Sequence, residues 1–279
     1  MIRRTVAVVV VTCAVALACS SYEAAPDGAA DSGAPTIDGA ADIGPVVDAA
    51  VTTDADAAPV PFCDVDGGSF CEAFDQADSV TFDGTQVDDG GAIAVVQDPR
   101  VSPPNALRMQ LKRPVDSGVG CEYVLRDRKG IGIPAPNGFY AEYKVRFGAA
   151  IAGRLQLGVV VRMSLAAGGF TCDYSLQVTQ GGAALAEVEQ GGSYRFNALS
   201  MKPANGAWQT IAFDVHGATG ARKVSAWIDG KAALVDVMAI NSCQTVDRID
   251  DLSLGLICVQ DDVNSDVDLA FDDVRVIAH

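Results

Sequence analysis

Apolar and polar side chains alternate with a period of two through most of residues 62–279. In 139–147, FYAEYKVRF, the odd positions are apolar and the even positions carry Tyr, Glu, Lys and Arg. Because successive side chains of a β-strand point to opposite faces, this period is typical of strands that bury one face. The same alternation occurs in residues 154–163, 172–178, 208–215, 223–228 and 252–258. No segment has the pattern of a helix longer than two turns.

Glycine-containing turn sequences separate these segments. They are Gly168-Gly169, Gly181-Gly182, Gly191-Gly192, Asn205-Gly206 and Asp229-Gly230. Asp229-Gly230, between 224–228 and 232–235, is the clearest hairpin signal because Asp-Gly suits a two-residue turn. Many short strands with one apolar face each must bury that face against a second sheet. The predicted fold is therefore an all-β, two-sheet antiparallel β-sandwich over residues 62–279.

Two blocks of the chain, Trp208 to Val215 and Val224 to Gly230, resemble the paired W-containing strands of concanavalin A-like lectin and glucanase domains, which include laminin-G-like domains. The opening Phe70 to Asp75 and the closing Phe271 to Val276 are similar to the first and last strands of such domains in bacterial lipoproteins. The resemblance implies a jelly roll whose two ends lie together in one sheet. It does not fix an activity, because this fold has many functions.

The N-terminus predicts export. Arg3 and Arg4 precede an apolar stretch from Thr5 to Ala18, which is too short to span a bilayer. The following Val15 to Ser21 resembles a lipobox with Cys19 as the lipidated residue, although Ala16 stands where Leu is usual. We therefore expect residues 1–19 to be a lipoprotein signal peptide. Ser20 favours an outer-membrane or cell-surface lipoprotein, and the protein would be secreted if the lipobox is not used.

Residues 20–61 differ sharply in composition from the rest of the chain. They contain eight acidic side chains and no Lys or Arg, with Ala, Gly, Pro and Thr between them. Such a segment cannot bury enough apolar surface to offset its chain entropy, so it predicts a disordered acidic tether.

Net charge excludes some partners. The chain has 36 acidic and 20 basic side chains, a formal charge of −16, of which −10 belongs to residues 62–279. Nucleic-acid phosphates are bound by clusters of Lys and Arg, which a chain this acidic does not favour. We expect no nucleic acid as partner, contact with a membrane only through the N-terminal lipid, and a monomer.

Six cysteines remain once Cys13 and Cys19 are assigned to the signal peptide. They are Cys63, Cys71, Cys121, Cys172, Cys243 and Cys258. An even number in an exported chain predicts three disulfides, for which fifteen connectivities exist. We favour Cys63–Cys71, Cys121–Cys172 and Cys243–Cys258, because each pair would join neighbouring strands or close one loop.

Motifs of enzymes known on this fold are not matched. Laminarinase-type hydrolases place two carboxylates on one face of a strand, and the nearest stretch here is Glu187-Val188-Glu189, with no further acid following. Lyases related to alginate lyases need a strand His and a Tyr, whereas His216 is predicted to lie in a solvated loop. No residue is therefore assigned as catalytic.

A binding surface follows from the alternation. If Tyr143, Leu157 and Leu176 point inward, polar side chains share the opposite face of three consecutive strands. They are Tyr140, Glu142, Lys144, Arg146, Gln156, Arg162, Asp173, Ser175 and Gln177. Polar groups beside an aromatic ring suit a sugar, and guanidinium groups suit an acidic glycan. The alternative is the solvated face of an antiparallel sheet with cross-strand ion pairs. Trp208 and Trp227 are expected to pack at strand ends.

A structural Ca²⁺ is a candidate at the joined ends of the domain. Its ligands would be the carboxylates of Glu72, Asp75, Asp272 and Asp273. Residues 261–266, DDVNSD, form another oxygen-rich loop. The alternative in both places is acidic side chains that face water.

These features lead to three candidate functions. The first is a surface lipoprotein with a lectin-like domain that binds a glycan or surface polymer, or mediates adhesion, without catalysis. The second is a glycoside hydrolase or polysaccharide lyase with an unrecognised site. The third is a purely structural envelope protein.

Overall fold

The computed structural model describes residues 70–74, 82, 84–98, 105–112, 122–148, 153–166, 168, 171–259, 263 and 265–279. These residues form sixteen strands and one short 3₁₀ turn, Ser242–Gln244. The predicted antiparallel two-sheet sandwich is confirmed. Residues 1–61, with the predicted signal peptide, Cys19 and the tether, lie outside the described part. Within that part, no helix has the length and apolar character needed to cross a membrane.

Sheet A has the strand order β14-β13-β12-β7-β16-β4-β3, with β1 also paired to β16. Its strands are β1 Phe70–Glu72, β3 Gly91–Gln97, β4 Asn105–Leu111, β7 Gly138–Phe147, β12 Trp208–His216, β13 Lys223–Ile228, β14 Lys231–Met238 and β16 Val267–Ala278.

Sheet B has the order β11-β10-β9-β8-β15-β5-β2, with β6 also paired to β15. Its strands are β2 Gly84–Val87, β5 Glu122–Arg128, β6 Ile133–Pro134, β8 Leu155–Ser164, β9 Thr171–Val178, β10 Ala183–Glu189, β11 Tyr194–Ala198 and β15 Arg248–Val259.

Strand β7 shows how the alternation becomes a core. Its odd-numbered side chains, from Phe139 to Phe147, are at most 1% exposed, whereas Tyr140 and the other even-numbered ones are partly exposed. Phe139 packs edge-to-face against Phe213 of the neighbouring β12 and against Tyr174 of the opposite sheet. The buried face therefore joins the two sheets, and the even-numbered side chains of β7 must point outward.

Tyr143 reaches across the sandwich to the backbone of β8. A Cβ atom placed on Gly158 would lie 2.2 Å from the Tyr143 hydroxyl oxygen, and Gly158 has a φ of +89°. Gly158 pairs with Gly255 of β15, so two glycines lie together where the ring enters. Only glycine fits here without strain, because both the backbone angle and the space exclude a side chain.

The two ends of the domain lie in one sheet, as the resemblance implied. Phe70 of β1 pairs with Val276 of β16. The hairpin predicted at Asp229-Gly230 is also confirmed: it joins β13 to β14, and both residues have positive φ, 50° and 71°. Positive φ at both central residues is the geometry that matches the twist of the two strands.

The cysteine pairing differs from the favoured one. Cys172 of β9 is bonded to Cys243 of the 3₁₀ turn, with a Cα–Cα distance of 5.5 Å. The predicted bonds Cys121–Cys172 and Cys243–Cys258 are therefore wrong. Cys258 lies ten residues beyond the start of β15, roughly 33 Å along the strand and far from Cys243. Cys71 and Cys258 are also disulfide-bonded. The predicted bond Cys63–Cys71 stays a prediction, because Cys63 lies outside the described residues.

The Tyr143–Gly158 contact predicts that adding one methyl group at position 158 destabilises the fold strongly. Gly158→Ala should lower the free energy of unfolding by about 2–5 kcal/mol, because it adds backbone strain and overpacks the core. Denaturant unfolding under oxidising conditions measures this.

Gly191→Ala is the matched control. Gly191 has a similar φ of +80° but nothing within 4 Å of the added Cβ, so only the backbone cost of about 1–2 kcal/mol should remain. Equal losses in the two variants would show that Tyr143 does not exclude a side chain at Gly158.

Candidate functional site

The outer face of sheet A brings together side chains from four adjacent strands. Across β7, Glu142 lies opposite Ala212 of β12 and Arg275 of β16, and Ala212 in turn lies opposite Trp227 of β13. Directly opposite residues share a face of the sheet. This row therefore places an indole, a methyl group, a carboxylate and a guanidinium side by side.

A pocket opens at this row. It has a volume of about 270 Å³ and is lined by Tyr140, Glu142, Thr210, Ala212, Trp227 and Gly230. The small side chain of Ala212 leaves the space between the larger side chains of the strands on either side of it. The rings of Tyr140 and Trp227 are both partly exposed, so an aromatic surface is open to solvent on two sides of the pocket.

The turn between β13 and β14 closes one end of the pocket. The Asp229 carboxylate accepts hydrogen bonds from the Thr210 amide at 2.9 Å and from the Gln209 side-chain amide at 2.8 Å. These bonds fix the Asp229-Gly230 turn against the start of β12. The position of Gly230 at the pocket is therefore held by the sheet and does not depend on a free loop.

The Glu142 carboxylate of the pocket is held in place by two neighbouring side chains. The Tyr140 hydroxyl donates a hydrogen bond to Glu142 at 2.5 Å, and Arg275 forms an ion pair with the other oxygen of Glu142 at 3.2 Å. The Arg275 guanidinium also lies 5.7 Å from the centre of the Tyr140 ring. Burial raises the pKa of Tyr140, and the bond to Glu142 raises it further, so the phenol is protonated at neutral pH.

Three further cations on this face, from β4 and β7, are paired. Lys144 contacts Asp273, Arg146 contacts Asp98 at 3.1 Å, and Arg108 makes two hydrogen bonds to Asp268. In each case the acid comes from a segment far away in the sequence. Arg146, which was predicted to suit an acidic glycan, is therefore already paired with a carboxylate.

The rest of the predicted face lies on the other side of the molecule. Strand β7 is in sheet A, whereas β8 and β9 are in sheet B, so their outward faces point in opposite directions. The prediction that all these side chains share one face is wrong, because the chain crosses between sheets after β7. The residues placed on the outer face of sheet B are Gln156, Arg162, Asp173, Ser175 and Gln177.

On sheet B, the predicted residues bond mainly to one another. Arg162 makes two hydrogen bonds of 2.7 Å to Asp173 and lies 3.5 Å from Asp251. The bond to Asp173 raises the pKa of Arg162. Gln156 donates to the buried Ser175 hydroxyl at 2.7 Å. This pattern matches the alternative of a sheet face with cross-strand ion pairs.

His216 is not in a loop. It is the last residue of β12 and lies between Asp214 and Asp236, at 3.2 and 3.0 Å. His279 lies 3.2 Å from the other oxygen of Asp214, which is opposite Tyr140 in the sheet. The domain therefore does have a histidine on a strand, which the sequence analysis had expected to lie in a loop. Both nitrogens of His216 face carboxylates, however: Nε2 is hydrogen-bonded to Asp236, and Nδ1 lies beside Asp214.

Glu187 and Glu189 do not form a catalytic pair. Glu187 is fully buried and accepts hydrogen bonds from Arg195, Asn197 and the amide of Ile240. Glu189 accepts from the Ser193 amide in the turn after β10. Glu187 thus links β10 and β11 to the segment after β14 and has no access to a substrate.

The calcium proposal receives no support among the described residues, which contain no group of three or more His, Cys, Asp or Glu side chains placed to hold a metal. Glu72 accepts from the Phe74 amide, and Asp273 pairs with Lys144. Glu72, Asp272 and Asp273 are all buried but do not form a ligand set. Asp75 and most of the 261–266 loop lie outside the described part.

Trp208 and Trp227 lie at strand ends, as expected, but were not assigned to the candidate face: Trp208 is the first residue of β12 and Trp227 the last but one of β13. Both are partly exposed on the outer face of sheet A. The signal was present in the alternation: Ile211, Phe213 and Val215 are buried, so even-numbered positions of β12 point outward. In β13, Ala226 and Ile228 on either side of Trp227 are buried, so Trp227 points outward by the same alternation.

Comparison with known proteins identifies the class of fold. No protein-family model matches this chain, and no curated protein matches it. An endo-β-1,4-glucuronan lyase from the fungus Trichoderma reesei has a TM-score of 0.56 at 13% identity, covering 76% of this chain and 96% of that one. A carbohydrate esterase from Shiga toxin-encoding bacteriophage phi24B has a TM-score of 0.51 at 13% identity, covering 75% and 97%.

At these identities the similarity establishes the fold and nothing finer. The chain is a jelly-roll β-sandwich of the kind found in carbohydrate-active proteins. The concanavalin A-like resemblance is consistent with this class, which is broader than lectins alone.

Proposed function

We propose that this protein binds a polysaccharide in the pocket on the outer face of sheet A. The observation that carries the proposal is the placement of Trp227 and Tyr140 around the small Ala212, with Glu142 and Thr210 at the same pocket. Aromatic faces bind the apolar face of a sugar ring, and carboxylate and hydroxyl groups bind its hydroxyls. A few fixed polar groups in an otherwise apolar pocket are typical of ligand sites.

A neutral glycan fits the charges better than an acidic one. Glu142 is the charged group that lines the pocket, and the nearest cation, Arg275, is paired with it. A uronate entering here would meet a carboxylate, and Arg275 would have to exchange one partner for another. Neutral hydroxyls can instead donate to Glu142 without breaking that ion pair.

The structural comparisons support a carbohydrate ligand in general. Two of the similar structures, with TM-scores of 0.56 and 0.51, are named as an endo-β-1,4-glucuronan lyase and a carbohydrate esterase. They favour the enzymatic alternative over purely non-catalytic binding. At 13% identity, however, no catalytic residue can be assigned in this chain from those proteins.

Affinity electrophoresis of the full-length chain in neutral and acidic polysaccharides tests the proposal. The panel comprises cellulose derivatives, xylan, mannan, laminarin, alginate, pectate and glucuronan. We expect at least one neutral polymer to bind, and Trp227→Ala to weaken binding at least about tenfold, as for a central aromatic in an interface.

Two controls separate the faces of the molecule. Tyr194→Ala removes an exposed aromatic ring from β11 of sheet B and should not change binding. Arg162→Ala, also on sheet B, should leave it unchanged as well. Binding that survives Trp227→Ala but is lost in Arg162→Ala would place the site on sheet B and overturn this proposal.

Cleavage of the bound glycan is the second candidate, favoured by the Tyr140–Glu142 pair. The protonated Tyr140 phenol can give its proton to the glycosidic oxygen of a bound sugar as that bond breaks, and the adjacent Glu142 carboxylate can accept a proton from water or from the sugar. Tyrosine also replaces a carboxylate in some glycosidases. If the protein cleaves its ligand, Tyr140→Phe should lower the rate about 10²–10⁴-fold while binding is retained.

Two assays on the same polymer panel measure cleavage. New reducing ends report any glycosidic cleavage, and ultraviolet absorbance of unsaturated products reports elimination. Tyr194→Phe serves as the control tyrosine. Absence of new ends with every polymer, or a Tyr140→Phe rate equal to wild type, would eliminate this second candidate.

We also propose, from residues 1–61 alone, that the protein is exported and lipid-anchored. The support is the charged and apolar N-terminus followed by Cys19. In a Gram-negative host, radiolabelled palmitate should enter the wild-type protein but not Cys19→Ala, with Cys13→Ala as the matched control. Equal labelling of all three would refute the anchor at Cys19.

A further inference from the structure

A third aromatic ring lies on the outer face of sheet A, on Trp208 at the start of β12. Trp208, Thr210 and Ala212 alternate along the strand and point to the same side. Trp208 lies opposite Arg146 of β7, as Ala212 lies opposite Glu142. Thr210 lines the pocket, so the outward surface of β12 continues from the pocket towards Trp208.

The distance along the strand exceeds the size of one sugar. Trp208 is four residues from Ala212, which corresponds to about 14 Å of antiparallel strand. A single ring bound between Trp227 and Tyr140 could not contact Trp208. A linear chain of several sugars lying along β12 could contact both.

The Trp208 ring is held in place. The Arg146 guanidinium lies 5.7 Å from the ring centre, and Arg146 is itself bonded to Asp98 at 3.1 Å. The backbone before β12 is also fixed, since the Gly206 amide donates to the Phe147 carbonyl at 2.8 Å. A ring fixed in this way loses little conformational entropy when a ligand stacks on it.

The opposite direction along β12 is less suitable for a neutral chain. Beyond Ala212 the outward residues are Asp214 and His216, with His279 and Asp236 in contact with them. These groups are charged or strongly polar, and none of them offers an aromatic face comparable to Trp208. The pocket therefore has one aromatic continuation along β12, towards Trp208.

We propose that Trp208 is a second sugar-binding position, and that the pocket and Trp208 together bind a linear neutral oligosaccharide along β12. This inference rests on the proposed glycan binding at the pocket and adds the length and direction of the ligand. It assigns different roles to the two tryptophans. Trp227 contacts every ligand, whereas Trp208 contacts only those long enough to reach it.

Isothermal titration with cello-, xylo-, manno- and laminari-oligosaccharides, from disaccharides to hexasaccharides, tests this. The full-length wild type should bind more tightly as the chain lengthens, up to a plateau. Trp208→Ala should bind disaccharides like the wild type but hexasaccharides at least tenfold more weakly. Trp227→Ala should weaken binding at all lengths.

Further variants keep folding separate from binding. Trp208→Phe retains an aromatic face and should preserve most of the length dependence, and Tyr194→Ala should resemble the wild type. Denaturant unfolding of each variant checks that the fold is intact. Unchanged hexasaccharide binding in Trp208→Ala, or equal weakening at all lengths, would overturn the inference alone. Absence of binding to every oligosaccharide and every polymer of the panel would instead reject the proposed function.

Discussion

Burial of the odd-numbered side chains of β7 between the two sheets is the constraint on which the rest of the structure depends. A shift of one residue would exchange every buried side chain for an exposed one, so the register is strongly specified. Tyr143 tightens this further, because its ring fits only where Gly158 leaves space in the opposite sheet. With Tyr143 fixed inward, Tyr140 and Glu142 must point outward, and the pocket is built on those two side chains.

The alternation therefore predicts which face a residue occupies, but not which strands become its neighbours. Tyr140 and Glu142 were correctly expected to be outward, yet Gln156 and Arg162 were grouped with them although they lie on the other sheet. The pattern within a strand is local, whereas the pairing of β7 with β12 joins residues about seventy positions apart. Nothing in a period of two indicates whether the next strand pairs with the last or crosses to the other sheet.

The same reason explains the outcome for the cysteines, whereas the tryptophans follow the local pattern. Spacing favoured pairs that are close in sequence, but Cys172 and Cys243 are 71 residues apart and meet because β9 and the 3₁₀ turn pack together. Trp208 and Trp227 were assigned to strand ends, although their parity already placed them on the outer face. Both do lie at strand ends, Trp208 as the first residue of β12 and Trp227 as the last but one of β13, and both are partly exposed there.

The charges on sheet A show most clearly that composition does not predict which ionic groups are available to a ligand. A chain with few cations suggests that its arginines are available for an acidic ligand, but Arg146, Arg108 and Arg275 each meet an acid from a distant segment. Such partly exposed pairs add little to stability, typically up to about 1 kcal/mol each. Their larger effect is positional: Arg275 holds Glu142 beside Tyr140, and Arg146 holds Trp208. The ion pairs on this face thus orient the groups that a neutral glycan would contact, and an acidic glycan would have to break them.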